Sequence, residues 1–161
     1  LDVVYFTTDL TNLITYGNST YSNASGKSNR HGVEMKFNSL ISDNLYWRNN
    51  ATFTIAEDGN GTQVTRRPKW TGLTAIDYKK EKWTTTAEYL HTGSHLDIDS
   101  ATWATITQPA VGIANVHTNY EINDKSNMIL SINNVGDKTY ERPDGYAQQG
   151  RNMLLTYKLK F

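Results

Sequence analysis

Polar and apolar residues alternate along most of this chain with a period of two, and helical periodicity is nearly absent. In 44–57, Leu45, Trp47, Ala51, Phe53 and Ile55 fall on one face, and Tyr46, Arg48, Asn50, Thr52 and Thr54 on the other. In 28–41, Val33, Met35, Phe37 and Ile41 oppose Glu34, Lys36 and Asn38; in 82–93, Trp83, Ala87 and Tyr89 oppose Lys82 and Glu88. At the end of the chain, Met153, Leu155, Tyr157, Leu159 and Phe161 share a face, with Leu154 the exception on the other. The pattern predicts nine strands, over 1–8, 12–21, 28–41, 44–57, 67–79, 82–93, 109–122, 126–135 and 150–161. Several are ten to fifteen residues long. Strands of soluble domains average about 5–6 residues, while a tilted membrane-crossing strand needs about 9–11. Length therefore points to an all-β fold, an antiparallel transmembrane β-barrel with a wet charged lumen and an apolar lipid face.

The connections carry the same message. Counting back from Phe161, long segments (136–149, 93–108, 58–66, 17–29) alternate with short ones (123–126, 79–82, 42–44, 9–12). Outer-membrane barrels have short periplasmic turns and longer extracellular loops, which puts Phe161 on the periplasmic side. Trp70 and Tyr78 share a face eight residues apart. At about 3.4 Å per residue and a tilt near 40°, they are separated by roughly 20 Å of height, close to an apolar band with an aromatic girdle at each interface. The plain alternative is two ordinary core aromatics. Nine is an odd count, whereas single-chain bacterial barrels are even, and no fixed repeat indicates a solenoid. The count and the abrupt start "LDVVYFTTD" predict a fragment of a larger barrel, with two open edges that need partners.

Composition narrows the classes. Sixteen basic residues balance sixteen acidic ones, which leaves no electrostatic footprint for nucleic acid. Cysteine is absent, so there is neither a disulfide framework nor thiol chemistry. No run of 18 apolar residues forms a transmembrane helix, and no signal peptide is visible. Mean hydropathy is −0.61, yet there are ten tyrosines and four tryptophans. That combination suits a barrel wall with one polar face, and equally a soluble glycan-binding β-sandwich. A small barrel closed by nine strands is a further reading.

Four stretches carry a family resemblance: "FTTDLTNLITY" (6–16), "SNRHGVEMKF" (28–37), "VTRRPKWTGLTAIDY" (64–78) and "NNVGDKTYERPDGYAQQGRNMLLTYKLKF" (133–161). Together they resemble TonB-dependent outer-membrane receptors, across essentially the whole chain. The resemblance implies that 1–161 is the C-terminal part of a 22-stranded barrel, with the plug domain and the N-terminal barrel strands outside it. It implies a bacterial outer-membrane location, contact with lipid and lipopolysaccharide, and energy from TonB acting through the plug. It also implies that the last strand, with Tyr157, Leu159 and terminal Phe161, is read by the barrel-assembly machinery.

Within the family, "TRRPKW" (65–70) and the spacing from "YLHTG" (89–93) to "NYEI" (119–122) are most similar to the vitamin B12 receptor branch. The implied ligand is cobalamin; a ferric-siderophore or haem receptor shares the general barrel motifs. The branch contacts its ligand with the first arginine of the RR pair, here Arg66, and with a tyrosine whose position by ungapped spacing is Ile98. Trp103 or Tyr140 is then the candidate for the missing aromatic contact.

Other candidates are weighed on chemistry. Arg66 and Arg67 close an outer loop and offer several hydrogen bonds to an acidic or amide-rich ligand. The plain alternative is a rim arginine bonding loop carbonyls or lipopolysaccharide phosphates. Tyr146 sits in a loop rich in turn formers (141–151), where binding residues concentrate on rigid scaffolds. His91 and His95, four apart, share a face if the strand continues, a spacing compatible with a metal; two rim histidines are the plainer reading. "DGNGT" (58–62) resembles part of a calcium loop but lacks the ligand spacing and the distal Glu, so a Gly-rich hairpin is expected. The sequence holds no nucleophile–base pair and no phosphate-binding glycine motif, so neither an enzyme nor a cofactor is indicated.

Overall fold

The computed structural model describes residues 1–17, 19–24 and 26–161. It contains twelve strands among them: β1 (Asp2–Thr11), β2 (Ile14–Gly17), β3 (Thr20–Asn23), β4 (Lys27–Ser42), β5 (Leu45–Glu57), β6 (Trp70–Lys80), β7 (Trp83–Thr92), β8 (His95–Ile98), β9 (Thr105–Gln108), β10 (Val111–Asn123), β11 (Ser126–Asn133) and β12 (Asn152–Leu159). Eight form one antiparallel sheet in the order β1-β4-β5-β6-β7-β10-β11-β12. The other four make two separate hairpins, β2–β3 and β8–β9. No second sheet packs on the first among the described residues.

Eight of the nine predicted strands are wall strands; the segment 12–21 is not. β1 runs on to Thr11 and pairs directly with β4, from Asp2↔Lys36 to Thr11↔Lys27. "DLTN" (9–12) is thus strand end rather than turn, and the described residues between β1 and β4 belong to one long connection. Within it the alternation of 12–21 folds back on itself, with Gly17↔Thr20 closing the β2–β3 pair. A glycine in the middle of an alternating run marks this bend. The wall count is therefore even, and every remaining connection keeps the predicted rhythm. Two-residue turns join β4–β5, β6–β7 and β10–β11, and long loops join β5–β6, β7–β10 and β11–β12.

Register confirms the two faces. Val33, Phe53 and Trp70 lie side by side, as do Ala87, Val116 and Ile132, and Trp83, Tyr120, Met128 and Tyr157. The Phe53 and Trp70 rings are 4.8 Å apart and the Trp83 and Tyr120 rings 4.5 Å apart, one pair toward each end of the wall. Trp70 and Tyr78 share this apolar face, as expected. Ile41 is the exception: the register shifts between Leu40 and Ser42, so it is the extra residue of a bulge. The opposite face carries the charged and amide side chains, with Leu73, Leu90, Ile113 and Leu154 among them, and many of its polar groups pair with one another. Arg48 donates to both carboxylate oxygens of Asp77 at 2.5 and 3.0 Å, and Thr86 donates to Asp77 at 2.6 Å. Asn115 donates to Glu88 at 2.8 Å, and Asn127 to Asn119.

The only buried apolar residues among those described are Ala56 and Ala75, while Val3, Ile76, Leu130, Leu155 and most aromatics are exposed. A soluble β-sandwich buries its apolar rows between two sheets. This single layer leaves its apolar row outward, which removes the sandwich reading and suits a hydrocarbon solvent. A closed nine-strand barrel is excluded too, because β1 and β12 each have one partner and do not meet.

Candidate ligand site at the long-loop end

The loops beyond the wall are organised around one carboxylate. Asp97, in β8, has no solvent exposure at all. Its Oδ1 accepts a hydrogen bond from Arg66 Nε at 2.6 Å and from the Ile98 backbone N–H at 2.8 Å, and its Oδ2 accepts from the Asp144 N–H at 2.9 Å. Arg66 N–H also donates to the Leu96 carbonyl at 2.6 Å. Asp97 thus joins the β5–β6 loop, the β8–β9 hairpin and the β11–β12 loop. Burial raises its pKa, but the Arg66 guanidinium and the two backbone N–H groups outweigh that and hold the carboxyl at about 2. Asp144 extends the tie, accepting from Ser100 N–H at 2.9 Å and from the Gln108 amide at 3.1 Å.

Arg66 is therefore both strut and candidate contact. Its backbone is left-handed at φ 59°, a conformation uncommon for a residue other than glycine. Its side chain keeps 52% exposure, so the rest of the guanidinium faces a cavity of about 440 Å³ lined by Thr71, Thr92, His95, Arg142 and Pro143. Tyr140 is half-buried and lines two adjoining cavities that Arg142 also borders. The other sequence candidates lie elsewhere. Arg67 donates to the Arg66 carbonyl at 3.3 Å and borders a separate cavity with Leu10, Leu13 and Glu57. Trp103 is 80% exposed at the tip of β8–β9, and Tyr146 is exposed on the β11–β12 loop. Ile98, the position where the branch has a tyrosine, is next to Asp97 and half-buried.

Two candidate metal features resolve differently. The strand that carries His91 ends at Thr92, and His95 belongs to β8, where its Nδ1 lies 3.1 Å from the Gly93 carbonyl. The break at Gly93 puts His91 on the outward face opposite Gly72 and Gly112, while His95 lines the Arg66 cavity. "DGNGT" is a tight turn in which Asp58 Oδ1 accepts from the Asn60 and Thr62 N–H groups at 2.9 and 2.8 Å.

Sequence reasoning missed Asp97 and Arg142, and it missed the β8–β9 hairpin that presents Asp97. The alternation in "HLDI" and "TITQ" was an available signal. Nothing local distinguishes Asp97 from the neighbouring Asp99, which caps its own turn by accepting from the Thr102 and Ala101 N–H groups.

The family model for the TonB dependent receptor-like β-barrel matches residues 1–135. The chain belongs to the TonB-dependent receptors. Among curated proteins, the vitamin B12 transporter BtuB of Vibrio cholerae serotype O1 is 29% identical over 161 residues, covering 94% of this chain and 25% of that protein. Two solved receptors share the fold. The ferripyoverdine receptor of the outer membrane of Pseudomonas aeruginosa superposes with a TM-score of 0.80 at 20% identity, over 99% of this chain and 24% of that one. The ferric yersiniabactin uptake receptor FyuA from Yersinia pestis gives 0.81 at 17% identity, over 99% and 27%. This TonB-dependent receptor chain thus spans about a quarter of the length of the relatives it matches. Membership makes the wall an outer-membrane barrel wall, with its apolar face toward lipid and its polar face toward the lumen.

Proposed function

We propose that this chain is the C-terminal part of a 22-stranded TonB-dependent importer whose solute is cobalamin. The loops of this segment and a plug domain bind the solute outside. TonB, contacting the plug, draws on the inner-membrane proton gradient to release it, and the solute passes through the barrel. The chain supplies wall, outer loops and the C-terminal strand with Tyr157, Leu159 and Phe161 as assembly signal for the barrel-assembly machinery. Nothing in the proposed role is catalytic.

The observation that carries this reading is the mouth around Arg66. A strut on Asp97 leaves the remaining guanidinium nitrogens facing a 440 Å³ cavity, in a chain whose curated relative is a vitamin B12 transporter. Cobalamin is rich in amide and phosphate oxygens, and a fixed guanidinium suits both. Tyr140 stands beside that cavity; Arg67, Trp103 and Tyr146, on separate parts of the loops, are proposed as further contacts. Lipopolysaccharide contact is proposed for the exposed rim.

Cyanocobalamin binding to outer membranes carrying the full-length parent tests this, with wild type beside Arg66→Ala. Charge-assisted hydrogen bonds are worth about 1.5–3 kcal/mol, so affinity is expected to fall about tenfold or more. Binding that survives the substitution keeps the solute and discards the site. A correctly assembled parent with no cobalamin binding sinks the reading in favour of a ferric siderophore or haem.

A further inference from the structure

The long-loop end holds a second arginine whose charge no carboxylate among the described residues meets. Arg142 Nη1 donates to Thr92 Oγ1 at 2.7 Å, a neutral hydroxyl on the lumen face of β7. Its Nη2 is enclosed by protein and has no hydrogen-bond partner. None of the ion pairs among the described residues includes it. The nearby acids are engaged: Asp97 by Arg66 and two backbone N–H groups, Asp144 by Ser100 and Gln108, and Glu141 by the Gly145 N–H at 2.7 Å. An enclosed guanidinium nitrogen left unpaired is costly unless something supplies an acceptor.

Arg142 is also held in place. Its N–H donates to the Tyr146 carbonyl at 3.0 Å, and its own carbonyl accepts from the Gln148 amide at 2.9 Å. The side chain borders three adjoining cavities, of about 250, 360 and 440 Å³. The first adds Lys138, the second the amides of Asn115 and Gln148, and the third Arg66 and His95. Donors and amphoteric groups thus gather around it, and the two carboxylates that also line these cavities, Glu141 and Asp97, already accept from the Gly145 N–H and from Arg66 with two backbone N–H groups. We propose that Arg142 is an anion-recognition residue of the mouth, its unpaired guanidinium charge meeting a phosphate or carboxylate that enters the cavity shared with Arg66 and His95. This rests on reading the mouth as a solute entrance, and it narrows the solute to one that carries an exposed oxyanion.

The test is calorimetric titration of the full-length parent in detergent with inorganic phosphate, comparing wild type with Arg142→Gln. Glutamine keeps a polar amide but removes the charge and both Nη nitrogens. Wild type is expected to bind phosphate saturably, and the variant about tenfold or more weakly, as befits a charge-assisted bond. Absence of saturable binding to wild type, or equal binding by the variant, overturns the proposal. If Arg142→Gln does not assemble, Arg142→Lys is titrated in its place. Lysine retains the charge as a point donor without the fork, and wild-type affinity in that variant overturns the proposal as well. The readout is independent of cobalamin. A parent that ignores cyanocobalamin but binds phosphate through Arg142 discards the cobalamin reading alone, and the reverse result discards this one alone.

Discussion

At the scale of single residues, Asp97 decides the shape of the mouth. It is the only fully buried carboxylate among the described residues and it links three loops. Asp97→Asn keeps the size but forfeits the charge that Arg66 meets, and it turns one acceptor into a donor facing N–H groups. Leaving such partners unsatisfied costs about 1–3 kcal/mol. Hydrogen exchange on the full-length parent is expected to speed up in 93–108 and 134–151 together, while the wall strands stay protected. The same tie has a pH dependence. The folded-state pKa of about 2 lies below the ordinary aspartate value, so the stabilisation is complete above roughly pH 4. It is lost as pH falls through about 2, and loop protection measured from pH 7 down to pH 2 is expected to drop only at the acid end. Unchanged exchange in the Asn variant would show that the loops hold by packing alone. Arg66 was legible in the sequence through the "TRRPKW" stretch, whereas Asp97 and Arg142 were not. Their roles come from burial and from partners 31 to 50 residues away.

At the scale of elements, the strands follow from alternation, and their tolerance to change depends on which face a residue takes. Val116 lies on the apolar face near mid-height, between Ala87 and Ile132; His117 points into the lumen side beside Glu88, 3.7 Å away. Val116→Arg is expected to cost about 2–4 kcal/mol of folding stability in a bilayer, and His117→Arg far less, read as urea midpoints of the parent refolded into liposomes. Equal costs would mean that the apolar face is not lipid-exposed. Gly32 tests the pairing of β4 with β5. A Cβ there meets the Phe53 carbonyl oxygen at 2.1 Å and the Phe6 ring at 2.7 Å. Gly32→Val is expected to destabilise by at least the 1–3 kcal/mol or so typical of overpacking, whereas Gly136→Ala, with only Lys138 Cγ nearby at 3.9 Å, stays near neutral. Most strand bounds were readable to within a few residues. The segment 12–21 misled because a strand folded into a hairpin and a strand crossing a wall share the same two-residue period, and only pairing separates them.

At the scale of the whole molecule, the open sheet is incomplete as a membrane structure. β1 and β12 each present a free row of backbone donors and acceptors, and hydrocarbon leaves such groups unsatisfied at several kcal/mol each. The 161-residue chain expressed alone is therefore expected to aggregate or stay unfolded in detergent, by circular dichroism and gel mobility, while the same residues within the parent assemble. A monodisperse folded monomer of the isolated chain would contradict this. Two-residue periodicity, strand length and the rhythm of long and short connections are properties of the sequence itself, because each residue's face follows from its parity. They determined the strand class, the lipid and lumen faces and the end at which the loops gather. The tertiary structure alone decided that the wall has eight strands among the described residues, that β1 pairs directly with β4, and that Arg66, Asp97 and Arg142 line one cavity. Those outcomes depend on pairing and on long-range hydrogen bonds, whose partners no local pattern specifies.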